Sequence, residues 1–171
     1  MNLELTDEQV ALRDTVRRFL VEKASVTTHV RPMLENPTGT TRELWGALAD
    51  LGATGVLVPQ EFGGSGMTMV EAGIVAEELG AALHPGPWLS SAVAATRALT
   101  RLVPEADGAS LLTGIADGSM VATVGPLAGP RPTADGGVLR GEISALPDAA
   151  AAGVVLILAD DGNGTGLFAI D

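Results

Sequence analysis

Residues 56–80 read Val-Leu-Val-Pro-Gln-Glu-Phe-Gly-Gly-Ser-Gly-Met-Thr-Met-Val-Glu-Ala-Gly-Ile-Val-Ala-Glu-Glu-Leu-Gly, and no other stretch constrains the fold as strongly. The apolar start stops at Pro59. Gly63, Gly64 and Gly66 then form a loop whose backbone can turn tightly and come close to its neighbours. Thr68 and Glu71 have capping-box spacing, so a helix is expected to start there, with Gly80 as its natural stop. The glycines lack the spacing and the lysine of a P-loop, so they read as a structural turn and not a phosphate cradle.

The same capping grammar opens two earlier helices. Thr6 and Gln9 start the first, with Leu5 and Val10 at staple spacing, Asp7 and Glu8 in the first turn, and Leu12, Val16, Phe19 and Leu20 on one apolar face. Thr40 and Glu43 start the second, with Leu44, Trp45, Leu48 and Leu51 facing inward and Gly52 as the stop. Residues 25–39, with Pro32, Pro37 and an isolated His29, show no sustained period and read as a connecting loop. In the helix after Thr68, Val70, Ile74 and Leu79 are the larger apolar members, and Ala72, Gly73 and Ala76 offer a small-residue surface. A Pro-rich turn leads into an alanine-rich helical segment at 89–102, and a short helix at 107–116 ends at Gly118.

From Ser119 onward the period changes. Residues 120–124, 138–143, 153–159 and 167–170 read as strands, separated by Gly-Pro, Asp-Gly-Gly and Asp-Gly-Asn-Gly turn signals. Helices first and strands after point to an α+β protein. That order points to segregated layers or two domains, and not to alternating βαβ units.

Composition narrows the function. Ten Lys and Arg stand against 21 Asp and Glu, a net charge of −11, and the basic residues are dispersed, which points away from a nucleic-acid surface. The absence of cysteine removes disulfides, thiolate catalysis and cysteine-ligated metals, and fits a reducing compartment. His29 and His84 have no partners at ligand spacing, so no metal site is expected. The acidic start lacks the apolar core of a signal peptide, and the longest apolar stretch, 149–159, is too short to cross a bilayer. The expectation is a soluble cytoplasmic protein without membrane insertion. Glu61, Glu77 and Glu78 read as solvated acids, and Trp45 and Trp88 as packing anchors. Ser90 and Ser91 have no base at nucleophile spacing and read first as helix-start or helix-surface residues, so no catalytic residue is assigned.

The order of these segments resembles an acyl-CoA dehydrogenase. Leu5-Thr6-Asp7-Glu8-Gln9 with the helix through Phe19 is similar to that family's first helix, and Glu43-Leu44-Trp45 with Leu48-Ala49-Asp50-Leu51-Gly52 to its next long helix and turn. Val58-Pro59-Gln60-Glu61-Phe62-Gly63-Gly64 is similar to its Pro-Glu-Glu-Tyr-Gly-Gly loop, and Val75-Ala76-Glu77-Glu78-Leu79-Gly80 to the helix end beyond it. The resemblance implies an all-α helical domain over residues 1–117 followed by an antiparallel β-barrel-like middle domain, present in part over residues 118–171. It implies FAD as cofactor and an acyl-CoA thioester as substrate, in fatty-acid or steroid side-chain β-oxidation. In the family a carboxylate removes the α-proton while the β-hydride passes to the flavin. It also implies that the helix carrying Ser90 and Ser91 lines the acyl pocket, which makes these two serines the candidate substrate-binding residues.

Two departures from the family pattern matter. The family is about twice as long, and the helical bundle that usually carries the base is not among these 171 residues, so the expectation is either a fragment of a longer polypeptide or a second chain that supplies that part. The Thr-Glu-Pro and Gly-Ser-Asp motif facing the flavin is replaced by Val124-Gly125-Pro126-Leu127-Ala128-Gly129-Pro130, and the aromatic-Ile-Thr-Asn element by Ile143-Ser144-Ala145-Leu146-Pro147. The pattern is similar to the flavin-motif-deficient subunit of actinobacterial heteromeric acyl-CoA dehydrogenases. It implies a related partner subunit in a heterotetramer, with FAD bound mainly by the partner or by a further C-terminal region. A non-catalytic structural subunit, or a homo-oligomeric dehydrogenase with a divergent flavin site, are the alternatives.

Overall fold

Local capping chemistry starts the chain as expected. In the computed structural model, which describes residues 4–103 and 105–171, helix α1 (Asp7–Lys23) opens on a complete capping box between Thr6 and Gln9. Val16 and Leu20 are buried on its inner face, with Leu12 and Phe19 packed beside them. The next segment differs from the expected loop. Ser25 caps a π-helical turn, Val26–Val30, that runs directly into the short helix α2 (Arg31–Met33). Pro32 causes no break there, because a proline in the first turn of a helix removes no intrahelical hydrogen bond.

Helix α3 (Arg42–Asp50) is capped by Thr41, whose hydroxyl accepts the Leu44 amide. The expected Thr40–Glu43 box is therefore displaced by one residue, and Thr40 is buried instead. Leu44, Trp45 and Leu48 face the core, and Gly52, at φ +81°, turns the chain out. Residues 56–58 are buried but form no strand, and a 3-10 turn, Gln60–Phe62, leads into the glycine loop. A β-carbon on Gly64 would lie 2.1 Å from the Val58 carbonyl oxygen, so only glycine fits where the loop folds back on the chain entering it.

Helix α4 (Met69–Ala81) has the full Thr68–Glu71 capping box but runs past Gly80. Its turn-off residue is Leu83, which takes the left-handed conformation at φ +54° in place of a glycine. Val70, one of the larger apolar members, is exposed, and Ala72, Ile74, Val75 and Leu79 make the buried face. Gly73 and Ala76 of the small-residue surface point outward. Glu78, expected in solvent, is buried on the α1 side, where Arg17 holds both carboxylate oxygens at 2.9 and 2.7 Å.

A π-helical segment, Leu89–Ala95, continues into α5 (Thr96–Leu102), and α6 (Glu105–Ala116) follows. These helices carry the sheet, whose strands are β1 (Ala122–Gly125), β2 (Thr133–Asp135), β3 (Val138–Arg140), β4 (Val154–Asp161) and β5 (Gly164–Ile170). The β portion follows the helical one as expected, but its sheet is mixed and not antiparallel throughout. β4 is central: β1 runs parallel to its first half, β2 meets its end in parallel at Thr133 opposite Asp160, and β5 returns antiparallel along it. β2 and β3 form a hairpin through Gly136 and Gly137, both at positive φ. Leu99, Leu112 and Ile115 pack on Ala122, Val124, Val154 and Leu156, so helices and sheet share one core. This leaves β1 buried along its whole length, and the loops at its end open a site.

Candidate functional site

Two segments meet beyond the C-terminal end of β1. Residues 126–130 leave that strand, and residues 142–147 connect β3 to β4. They enclose a groove of about 600 Å³. Its walls are mostly carbon, from Pro126, Leu127, Pro130, Ile143, Leu146 and Pro147. The Leu146 side chain lies on the Gly125 backbone, where an added β-carbon would meet Leu146 Cδ1 at 2.5 Å. Thr123 Oγ1 donates to the Pro147 carbonyl at 2.7 Å and ties the two segments together from below. Glu142 and Ser144 supply the only polar side chains among the described lining residues.

A flavin dinucleotide needs donors for its pyrophosphate and polar partners for its ring edge. This groove does not meet that need. Its one charged lining residue is a carboxylate, and the nearby Arg131 reaches Asp160 and Thr165 instead. The residues present therefore do not fit FAD on this face, because the phosphates would meet hydrocarbon and a like charge.

The structure places the two candidate serines apart, Ser91 at the start of β1 and Ser90 beside the end of the groove segment. Ser91 is fully buried, and its Oγ accepts the Ala122 amide at 3.1 Å, fixing the start of β1 to the π-helical segment. The Ser90 hydroxyl bonds the carboxylate of Asp148, the residue after the groove segment, which sits at positive φ. Asp148 carries no sequence signal of this role, since its partner is remote in the chain.

The two histidines, isolated in sequence, stack with ring centroids 5.3 Å apart and an interplanar angle of 17°. His29 Nε2 and His84 Nδ1 are buried without a hydrogen-bond partner. Burial pushes His84 down to about 4, with the neighbouring His29 adding to the shift, and burial lowers His29 too, so both rings are neutral near pH 7. Among the described residues, no group of three His, Asp or Glu side chains is placed to hold a metal ion. Trp88 anchors the core by donating to the Ala53 carbonyl at 2.9 Å, whereas the buried Trp45 Nε1 has no acceptor.

The family model for the acyl-CoA dehydrogenase N-terminal domain matches residues 6–119. This chain therefore belongs to the acyl-CoA dehydrogenase family. It is 35% identical over 116 residues to acyl-CoA dehydrogenase IpdE2 of Mycobacterium tuberculosis, a match covering 67% of this chain and 35% of that protein. Among solved structures, the Tcur3481-Tcur3483 steroid acyl-CoA dehydrogenase aligns with a TM-score of 0.82 at 29% identity, over 96% of this chain and 48% of that one. The ChsE4-ChsE5 complex of Mycobacterium tuberculosis aligns with a TM-score of 0.86 at 24% identity, over 99% of this chain and 48% of that one, a likeness of fold. The chain thus spans about half the length of these structures, and the matched part is about a third of IpdE2.

Proposed function

We propose that this chain is a subunit of a FAD-dependent acyl-CoA dehydrogenase, acting in α,β-dehydrogenation of an acyl-CoA thioester together with a related subunit that carries the flavin site and the base. The observation that carries the reading is the hydrocarbon groove at Gly125 and Leu146, which stands where a flavin-facing polar motif would be required. Two of the fold neighbours are named as two-component assemblies, which supports a hetero-oligomer, read here as a heterotetramer in the cytoplasm.

In this reading residues 1–117 form the helical domain and residues 118–171 part of the middle domain. Ser90 and Ser91 then act on substrate through position. Both hydroxyls are engaged within the chain, so they anchor the helix that would border the acyl pocket.

The test is to purify this chain alone and co-expressed with a related dehydrogenase subunit. Flavin absorbance per chain and its bleaching by straight-chain, branched and steroid-bearing acyl-CoA thioesters are then recorded. The expected result is a colourless single chain and a yellow complex that bleaches with an acyl-CoA. Stoichiometric flavin on this chain alone, or a complex that oxidises no acyl-CoA, would overturn the proposal.

A further inference from the structure

β5 uses only one of its two edges. The other carries no strand among the described residues, because β1 and β2 both pair with β4 on its far side. Proteins ordinarily blunt such an edge with charge, proline or a bulge. Gly164–Ile170 reads Gly-Thr-Gly-Leu-Phe-Ala-Ile in unbroken register with β4 and has none of these.

The hairpin fixes which backbone groups face outward. Asp161 pairs with Gly164 across a two-residue loop, and a loop of that length closes on a pair that exchanges both of its hydrogen bonds. Bonded pairs then recur at every second residue, so Gly164, Gly166, Phe168 and Ile170 bond to β4. The N–H and C=O groups of Thr165, Leu167 and Ala169 point out of the free edge.

An antiparallel copy of β5 centred on Leu167 answers all of these groups. It sets Leu167 opposite itself and Thr165 opposite Ala169, so every outward N–H meets an outward C=O. The same register sets Gly166 opposite Phe168 and Gly164 opposite Ile170. Those are the non-hydrogen-bonded positions, where facing Cα atoms come closest, to about 4.5 Å, and at each a glycine meets a large side chain. The Phe168 ring already lies along its own Gly166, where an added β-carbon would meet Cε2 at 3.0 Å. Across the two-fold axis the two rings therefore lie side by side. On the helix-facing side, Leu167 and Ala169 border a hollow of about 290 Å³ together with Leu99, Leu102 and Leu111, and Leu102 is 59% exposed. The second copy's Leu167 falls against that hollow.

We propose that this edge is a self-association surface, on which two copies of the chain join β5 to β5, antiparallel about Leu167, in one continuous sheet. The pairing is isologous and closes as a dimer. A seven-residue strand is roughly 23 Å long, so the contact falls short of the about 1,000 Å² of a stable interface and the dimer is weak and reversible. No charged side chain lies along the pair, although each copy carries −11 in total. The proposal does not depend on the dehydrogenase role.

Sedimentation equilibrium of the full chain over a range of concentration and salt is the first measurement. A reversible dimer that strengthens with salt is expected, since screening weakens the repulsion between two acidic copies. Ala169→Pro removes an outward N–H and no bond to β4, so it should raise the dissociation constant at least about tenfold while the chain stays folded. The chain has no cysteine, which allows a register test independent of that variant. Leu167→Cys lies on the two-fold axis and should oxidise to a disulfide-linked dimer, whereas Thr165→Cys, which faces Ala169 of the second copy, should not. A monomer at every concentration, a dimer that folded Ala169→Pro leaves intact, or equal cross-linking of the two cysteine variants would overturn the pairing. So would slow amide exchange at Thr165, Leu167 and Ala169 that appears only on adding the related subunit, because that subunit would then own the edge.

Discussion

Gln9 Nε2 donates to Glu71 Oε1 at 2.7 Å, joining the capping box of α1 to that of α4 across 62 residues of sequence. Glu71 also accepts from the Thr68 amide and hydroxyl, and these bonds hold its carboxyl down to about 2. The two helix starts are thus one network. Gln9→Ala should cost on the order of 1–2 kcal/mol and Glu71→Ala a similar amount. Their double mutant should cost less than the sum, since each removes the shared bond. Urea denaturation of the four proteins measures the coupling, and strict additivity would refute the link. A carboxyl with a lowered folded pKa adds stability above its ordinary value of 4.5, and this contribution is lost as pH falls towards 2.

The two adjacent glycines of the loop should respond differently to the same methyl group. Gly63→Ala must hold φ +83° in open space, a cost of about 1–2 kcal/mol. Gly64→Ala drives its β-carbon into the Val58 carbonyl oxygen, backbone that has no rotamer to yield, and should cost at least about 3 kcal/mol. Thermal denaturation orders them, and a Gly64→Ala protein as stable as Gly63→Ala would contradict the close approach.

The stacked histidines make stability pH-dependent. His84 is held at about 4 in the fold against 6.5 for a free histidine, so acid protonates the unfolded chain first. Stability should be flat above about pH 6.5 and decline as pH falls towards 4, losing on the order of 2 kcal/mol after allowance for partial exposure. His84→Phe keeps an aromatic ring on His29 and should flatten much of that decline. Equal slopes for the two proteins would show that other groups govern it.

Ser91→Ala leaves the buried Ala122 amide without its acceptor and should destabilise the chain by about 1–3 kcal/mol. Ser90→Ala, which releases Asp148 at the edge of the groove segment, should cost less in stability. It should speed amide exchange in residues 142–148, read by mass spectrometry. Unchanged exchange would mean that the serine does not restrain that segment.

Features set within one helical turn are legible in the sequence. The Thr6–Gln9 and Thr68–Glu71 boxes involve residues three apart, and their geometry needs nothing beyond one helical turn. The passage from helical to alternating period near Ser119 survives in the elements formed. Where the structure departs from the local pattern, the cause is physical. Thr40 and Thr41 are both competent caps, and burial of Thr40 in the core chose between them. Val70 suits a helix core by type, but the buried face of α4 runs through Ala72, Ile74, Val75 and Leu79 and leaves Val70 exposed. Glu78 has the local pattern of a solvent acid, and Arg17, 61 residues away in sequence, meets it only in the fold.

The sequence by itself determined the order of elements, the helix starts, the glycine that lets the loop close on Val58, and the family. Each rests on contacts within a few residues or on ordered motifs. Only the tertiary structure decided the mixed sheet, the stacking of His29 on His84 and the pairing of Ser90 with Asp148. Those relationships join residues far apart in the chain. They arise from how helices and sheet share a core, and no local pattern encodes that.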